Sequence, residues 1–337
     1  MKLNRLLNFA WQPVVALCLL FSYPRQLAAV EGNAAILEQH NEAAIHAVLA
    51  DEVPELNINS LKIISCGWDN LVADINGEWI FRFPRLEEFV STLNREVLLL
   101  NQVHSCVSMP VPHYEYIGSR TAFVGYRKIL GKALDKELYL SLSTEVQQQI
   151  ADSLALFLSQ LHQAVSVEEA LAWGYKYYGL PLNWIESSLR NTNFSHDMNR
   201  IIQEAFAHIR QKQSNESHLV LLHNDLHSAN FAFDVETNQV TGVFDFSDAA
   251  IGESYIEFGR LFSVDQDLVI RTAEAYARLS GSKSLVKSAA AETILRRVLY
   301  ILYASECANT SREAQLLIKL ESFVPIWDGI CKRSKVL

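Results

Sequence analysis

The spacing of apolar residues changes period several times along the chain, and each change marks an element. Between Ala34 and Leu49, Ile36, Leu37, Ala44, Ile45, Val48 and Leu49 follow a helical pattern. "LKIIS" (61–65) and "LVADI" (71–75) are short apolar runs on either side of the small, polar stretch "CGWDN", so they predict two strands. Asn76-Gly77 is a strong two-residue hairpin signal, and "EWIFRF" (78–83) after it predicts a third strand, stopped by Pro84. Val90, Leu93, Val97 and Leu100 then share one helical face, which predicts a helix from Glu87 to Val103. "HYEYIG" (113–118) and "AFVGYRKI" (122–129) predict two more strands across "SR". Residues 60–130 therefore predict a small antiparallel sheet with one helix inserted after its third strand.

From Gly131 the pattern turns mostly helical. "IADSLALFLSQLHQA" (150–164) is strongly amphipathic, whereas "WGYKYYGLPLNW" (173–184) is aromatic and irregular. "HLVLLHNDLHSANFAFDVETNQVTGVFDF" (218–246) reads as strand, loop, strand, turn, strand, with helix resuming near Glu257. No internal repeat or low-complexity tract interrupts this order. The expected organisation is a segment 1–29, a sheet lobe over 30–130 and a mainly helical lobe over 131–337.

Composition supports a folded enzyme: of 337 residues, half are apolar and a fifth charged. The formal net charge of −9 speaks against a nucleic-acid binder, which would carry a basic surface. Residues 1–29 hold Lys2, Arg5 and Arg25 and no acids, leaving the remainder near −12, a balance favourable to a cationic small-molecule partner. Cys18, Cys66, Cys106, Cys307 and Cys331 are scattered without C-x-x-C spacing, so neither a zinc site nor a disulfide framework is expected. Residues 1–29 resemble a secretory signal peptide cleaved after Ala29, with a helix lying on a membrane surface or covering a lobe as the alternative. Membrane association is expected only through that segment.

The chemistry is concentrated in "LLHNDLHSANFAF" (221–233). Asp225 follows His223 by two residues, Asn230 follows Asp225 by five, and Asp245 closes the next hairpin in "VFDFSD". Phosphoryl transfer needs a carboxylate beside the attacking hydroxyl, oxygen ligands for Mg²⁺, a cation on the phosphates and a partner holding that cation. A carboxylate and an amide are hard oxygen donors suited to Mg²⁺. The folding back of a hairpin would return Asp245 to the neighbourhood of Asn230.

At this point the chain resembles the aminoglycoside phosphotransferase family, nearest its aminoglycoside 2″-phosphotransferase and macrolide phosphotransferase branch. "HNDLHSAN" with "GVFDFSDA" is similar to the family's catalytic core, "CGWDNLVADINGEWIFRFPR" to its nucleotide-binding hairpin and "YRKILGKAL" to its hinge, together spanning roughly residues 35–335. The resemblance implies an α+β, two-lobed protein-kinase-like fold with a nucleotide-binding N-lobe and an acceptor-binding C-lobe. It implies that Asp225 is the catalytic base, that Asn230 and Asp245 bind Mg²⁺, and that His223 braces the loop. Glu96 would orient the phosphate-binding cation, Gly67 would lie in the phosphate loop, and Tyr126 and Lys128 would lie at the base pocket. Arg82 stands where the family often has Lys, and a guanidinium fork differs in geometry from an ammonium point charge.

Weaker candidates complete the reading. Asp248, Glu253 and Glu306, with Glu257, are carboxylates that could bind a cationic acceptor, although Glu257 also fits a structural place at a helix start. His227 and Ser228 are read as spacers facing the substrate. A protein kinase is disfavoured, because the phosphate loop has one glycine and no A-P-E segment follows Asp245. The expectation is a phosphotransferase moving the terminal phosphate of ATP or GTP to a small-molecule hydroxyl on an aminoglycoside- or macrolide-like compound. A kinase of a metabolite alcohol (choline, homoserine or a sugar) and a nucleotide-binding pseudokinase are the alternatives. A need for nucleotide points to the cytoplasm, and the leader points to export or a membrane.

Overall fold

A computed structural model describes residues 42–66, 69–189, 192–213, 219–282 and 285–333. The leader over 1–29 and Gly67 lie outside the described residues, as does the start of the helix expected from Ala34. That helix is described as α1, Glu42–Glu52. The five-stranded sheet follows: β1 Leu61–Cys66, β2 Asn70–Ile75, β3 Trp79–Pro84, then α2 Glu87–Val103, β4 Tyr114–Ile117 and β5 Val124–Arg127. Its order is β1-β2-β3-β5-β4, and every pairing is antiparallel.

The hairpin signal works through backbone sterics. Asn76 and Gly77 both have positive φ (60° and 71°), the conformation that lets a two-residue turn match the strand twist. The Asn76 Oδ1 also accepts from the backbone N–H groups of Asn59 and Ser60, at 2.9 Å each, anchoring the chain that enters β1. β3 is buried along its whole length, and its two faces do different work. Trp79, Phe81 and Phe83 pack with Ile45 and Leu49 of α1 and with Phe123 in one apolar core. Each such aromatic contributes about 1.5–3 kcal/mol through burial. A Cβ at Gly125 would fall 2.5 Å from the Phe81 ring, so only glycine fits opposite it on β5. The other face of β3 carries Arg82.

The helical part runs through α3 Lys136–Ser141, α4 Thr144–Ala164, α5 Val167–Ala172, α6 Leu182–Ser188 and α7 His196–Gln213. Three strands follow, β6 Leu219–Leu222, β7 Phe231–Asp234 and β8 Gln239–Val243, and then β9 Ala250–Glu253, which the sequence pattern did not announce. β9 pairs antiparallel with β6, from Leu219↔Glu253 to Leu222↔Ala250. The next helix, α8, spans Tyr255–Arg260 and so begins two residues earlier than expected. A 3₁₀ turn (Leu261–Ser263), α9 Gln266–Ser280, α10 Leu285–Glu306, α11 Thr310–Glu321 and α12 Val324–Arg333 complete the chain. No described helix is long and apolar enough to cross a membrane.

Two compact units emerge. The sheet unit comprises the described residues through Ala133 together with Asn230–Ser247. The helical unit comprises Leu134–Ala229 and the described residues from Asp248 onward. The β7–β8 hairpin, expected with the second lobe, is thus part of the sheet unit. There Lys132 and Phe233 exchange two backbone hydrogen bonds of 2.9 Å, and the Val243 N–H donates to the Pro110 carbonyl.

Candidate active site

In the sheet unit, the site is organised around one buried guanidinium. Arg82 projects from β3 with 5 % of its surface exposed. Its Nη1 donates to Glu96 Oε1 of α2 at 2.7 Å and to the Tyr114 hydroxyl at 3.1 Å, and its Nη2 donates to Asp245 Oδ1 at 3.3 Å. Burial works against the charge, but Glu96, Tyr114 and Asp245 outweigh it and hold Arg82 well above its ordinary value. Glu96, itself 1 % exposed, also accepts from the Phe246 N–H at 3.2 Å. The helix carboxylate therefore fixes both the cation and the backbone after β8.

The hairpin delivers the pair expected to hold a metal. β7 and β8 pair with Phe231 opposite Val243, and the Phe244 N–H donates to the Asn230 carbonyl at 3.0 Å. Asp245 has a φ of 66°, an unusual backbone for a non-glycine residue and one that clusters at functional positions. Ser247 Oγ donates to its Oδ1 at 2.8 Å. An amide and a carboxylate held at the base of one hairpin fit the hard-oxygen preference of Mg²⁺.

In the helical unit, the loop bearing Asp225 is gripped from α8. Glu257 is fully buried, and its two oxygens accept the His223 N–H (2.5 Å) and the Asn224 N–H (3.0 Å). One turn later, Arg260 donates through Nε to the Asn224 carbonyl (2.6 Å) and through Nη2 to Asn224 Oδ1 (3.0 Å). Asn224 itself has a φ of 64° and donates through Nδ2 to the Asp248 carbonyl. These bonds hold the tight turn that presents Asp225, whose own N–H donates to His223 Nδ1 at 3.2 Å. Around Arg260, burial opposes the charge, but Tyr178, Glu292, Tyr300 and Asp225 more than offset it and raise its pKa.

Several expectations need correcting. Of the two places offered to Glu257, the structural one at the helix start holds and the acceptor one does not: it has no exposed surface and braces the loop. The Lys128 ammonium is paired with Asp74 at 2.5 Å and its N–H donates to the Glu78 carbonyl, while the residue also lines the cleft beside Ile129 and Leu130. Tyr126 is buried in β5 against Tyr114, with ring centroids 5.8 Å apart. Beyond it, Ile129 and Leu130 border a cleft of about 440 Å³ with His104, Pro110, His113 and Thr241. Glu253 pairs with Leu219, at the end of the β6–β9 ribbon away from Asp225. Glu306 is exposed in the last turn of α10, six residues beyond Tyr300. Asp248 is exposed, directly after the metal-binding candidate segment.

Sequence reasoning missed Asn224, Arg260, Tyr114 and Asp69. Asn224 had a signal, since Asn tolerates the left-handed region better than most residues. The others had none: the partners of Arg260 and Tyr114 lie 30 or more residues away, and Asp69 feels charges from β3, α2 and the β7–β8 hairpin that only folding brings to it. Burial, then the nearby Asp245, push the Asp69 carboxyl up to about 6 against the opposing charge of Arg82.

A phosphotransferase enzyme family profile, APH, matches residues 60–292. Among solved structures, the GDP complex of wild-type aminoglycoside 2'-phosphotransferase-IIIa aligns with a TM-score of 0.72 at 22% identity, covering 85% of this chain and 99% of its own. An ADP-bound aminoglycoside phosphotransferase, APH(2'')-Ib, aligns at 0.63 and 20%, covering 82% and 97%. The macrolide 2'-phosphotransferase MphH from Brachybacterium faecium, an apoenzyme, aligns at 0.63 and 19%, covering 83% and 98%. These likenesses carry the kinase-like α+β fold, and the profile spans most of the chain: this protein belongs to the APH phosphotransferase enzyme family.

Proposed function

We propose that the protein transfers the terminal phosphate of ATP or GTP to a hydroxyl of an aminoglycoside- or macrolide-like small molecule. The observation that carries this reading is the Arg82 fork, which binds Glu96 and Asp245 at once in the sheet unit. A buried cation held by a helix carboxylate suits the β- and γ-phosphates, and the adjacent hairpin supplies oxygen ligands. Structural neighbours bound to GDP and to ADP support a nucleotide co-substrate.

In this reading Asn230 and Asp245 hold Mg²⁺, which when bound neutralises charge on the phosphates. Asp225 orients the acceptor hydroxyl and accepts its proton. Glu257 and Arg260 keep the Asp225 loop in its turn. Asp248 and Glu306, both exposed, are the carboxylate candidates for a cationic acceptor.

The test is direct phosphate transfer from ATP and from GTP, with Mg²⁺, to an aminoglycoside, a macrolide and choline at low and high salt. Transfer to the aminoglycoside or macrolide supports the reading. A polycationic acceptor would show KM rising with salt, because partly exposed ion pairs are screened. Transfer to choline alone would move the protein to the metabolite kinases. Nucleotide binding without transfer to any acceptor would favour a pseudokinase.

A further inference from the structure

The loop between Asp225 and Asn230 contains a histidine whose ring makes two specific approaches. His227 Nδ1 accepts the Ala229 N–H at 3.1 Å. A ring nitrogen that accepts carries no proton, so the neutral imidazole must carry its hydrogen on Nε2. That Nε2 lies 3.3 Å from Asp225 Oδ2, a close polar approach just beyond the usual N–H···O distance. The backbone reinforces the arrangement, because the His227 N–H donates to the Asp225 carbonyl at 2.7 Å. Both side chains are partly exposed, at 37% and 30%, so the pair lies at an accessible surface.

We infer that His227 is a positioning residue for Asp225, its Nε2–H holding Oδ2 so that Oδ1 meets the acceptor hydroxyl. The inference rests on Asp225 being the base. A carboxylate has two equivalent oxygens and rotates easily about its last bond, so an aligned donor on one of them selects the other for chemistry. In the step, the acceptor oxygen bonds the terminal phosphorus as the bond to the bridging nucleotide oxygen breaks and the nucleoside diphosphate leaves. The acceptor proton passes to Asp225 Oδ1 and from there to water. His227 keeps its own proton throughout. Among the charged and titratable groups that act on Asp225 are Arg260 of α8 and Tyr300 of α10, the latter also acted on by Asp248, and the His223 ring accepts the Asp225 N–H. Arg260 is committed to Asn224. Holding the Ala229 N–H is the competing, purely structural role for the ring.

Two conservative variants separate these roles. The amide nitrogen of Gln reaches about as far as Nε2, so His227→Gln keeps a donor for Asp225. The carboxamide oxygen of Asn sits near the place of Nδ1, so His227→Asn keeps an acceptor for Ala229 and loses the donor. Positioning predicts that His227→Gln retains kcat within a few-fold, while His227→Asn and His227→Ala lower it about 100-fold, the scale of a small misplacement of a reacting group. Nucleotide KM should stay within a factor of two in all three. Recovery by Asn and not by Gln, or equal loss in Asn, Gln and Ala, would overturn the inference. Nitrogen NMR of the histidine rings supplies a readout free of turnover. His227 should show the Nε2–H tautomer, and Asp225→Asn should shift its Nε2 resonance while Asp248→Asn leaves it in place. An unmoved resonance in Asp225→Asn overturns the pairing. The pairing confirmed by NMR, with no transfer to any acceptor by the wild-type protein, would instead count against the phosphotransferase reading.

Discussion

Arg82 Nη1 lies 2.7 Å from Glu96 Oε1, and both side chains are almost wholly buried. Breaking such a pair from one side strands a charge away from water, at a cost of about 3–5 kcal/mol. Arg82→Ala should therefore lower unfolding free energy by about that amount, measured by chemical denaturation. Arg82→Lys should recover much of the stability, because the charge returns. It should still weaken nucleotide binding, because one ammonium cannot fork between Glu96 and Asp245 as a guanidinium does. An Arg82→Ala protein as stable as wild type would show that water reaches Glu96.

Asp225→Asn should reduce phosphate transfer by about 10²–10⁴-fold, the range for loss of a general base. The amide keeps a hydrogen-bonding shape but cannot take the acceptor proton. Nucleotide affinity should hardly change, since the substitution keeps the side chain's shape and removes neither Arg82 nor the proposed metal ligands. Turnover within a few-fold of wild type would remove Asp225 from the chemistry.

Asp245→Asn and Asn230→Ala should behave differently from the base variant. Each should raise the Mg²⁺ concentration needed for half-maximal nucleotide binding as well as slow transfer. Titration calorimetry of nucleotide with and without Mg²⁺ is the measurement. Unchanged Mg-nucleotide affinity in both variants would place the metal elsewhere.

Acid stability provides a test unrelated to catalysis. Glu52 at the end of α1 accepts the backbone N–H groups of Ser119, Arg120 and Thr121 at 2.8–2.9 Å, which pins the turn between β4 and β5. Desolvation opposes the charge, yet these bonds and the Thr121 side chain hold the carboxyl down at about 2. The unfolded carboxyl titrates near 4.5, so the contribution is complete above that pH and is lost as pH falls toward 2. Glu52→Gln should therefore be less stable than wild type at pH 7. The gap should close between pH 4.5 and 2 in a series of thermal melts. A gap independent of pH would mean the carboxylate charge plays no part.

Much of the fold was legible because its elements are local. The helix over Glu87–Val103 followed from the spacing of Val90, Leu93, Val97 and Leu100, and the structure places it there. The turn at Asn76-Gly77 followed from two residues that tolerate positive φ. β9 was not legible. Its four residues carry no apolar alternation, and they become a strand only because β6 offers a partner 31 residues earlier in the chain.

The motif H-N-D-x₄-N and the later Asp245 could be read directly, since spacing along one loop and one hairpin is a property of sequence. What surrounds them was decided in three dimensions. Sequence could name Arg82 and Glu96 as a cation and a carboxylate, but only the antiparallel sheet and α2 bring them within 2.7 Å across fourteen residues. The same holds for Glu257, which the sequence offered both as an acceptor carboxylate and as a structural acid at a helix start. It becomes the brace of the Asp225 loop because α8 buries it against the backbone N–H groups of His223 and Asn224. Apolar period and turn chemistry are short-range and were fixed by the order of residues. Desolvation and charge pairing depend on which distant groups share a dry interior, and only the folded chain determined that.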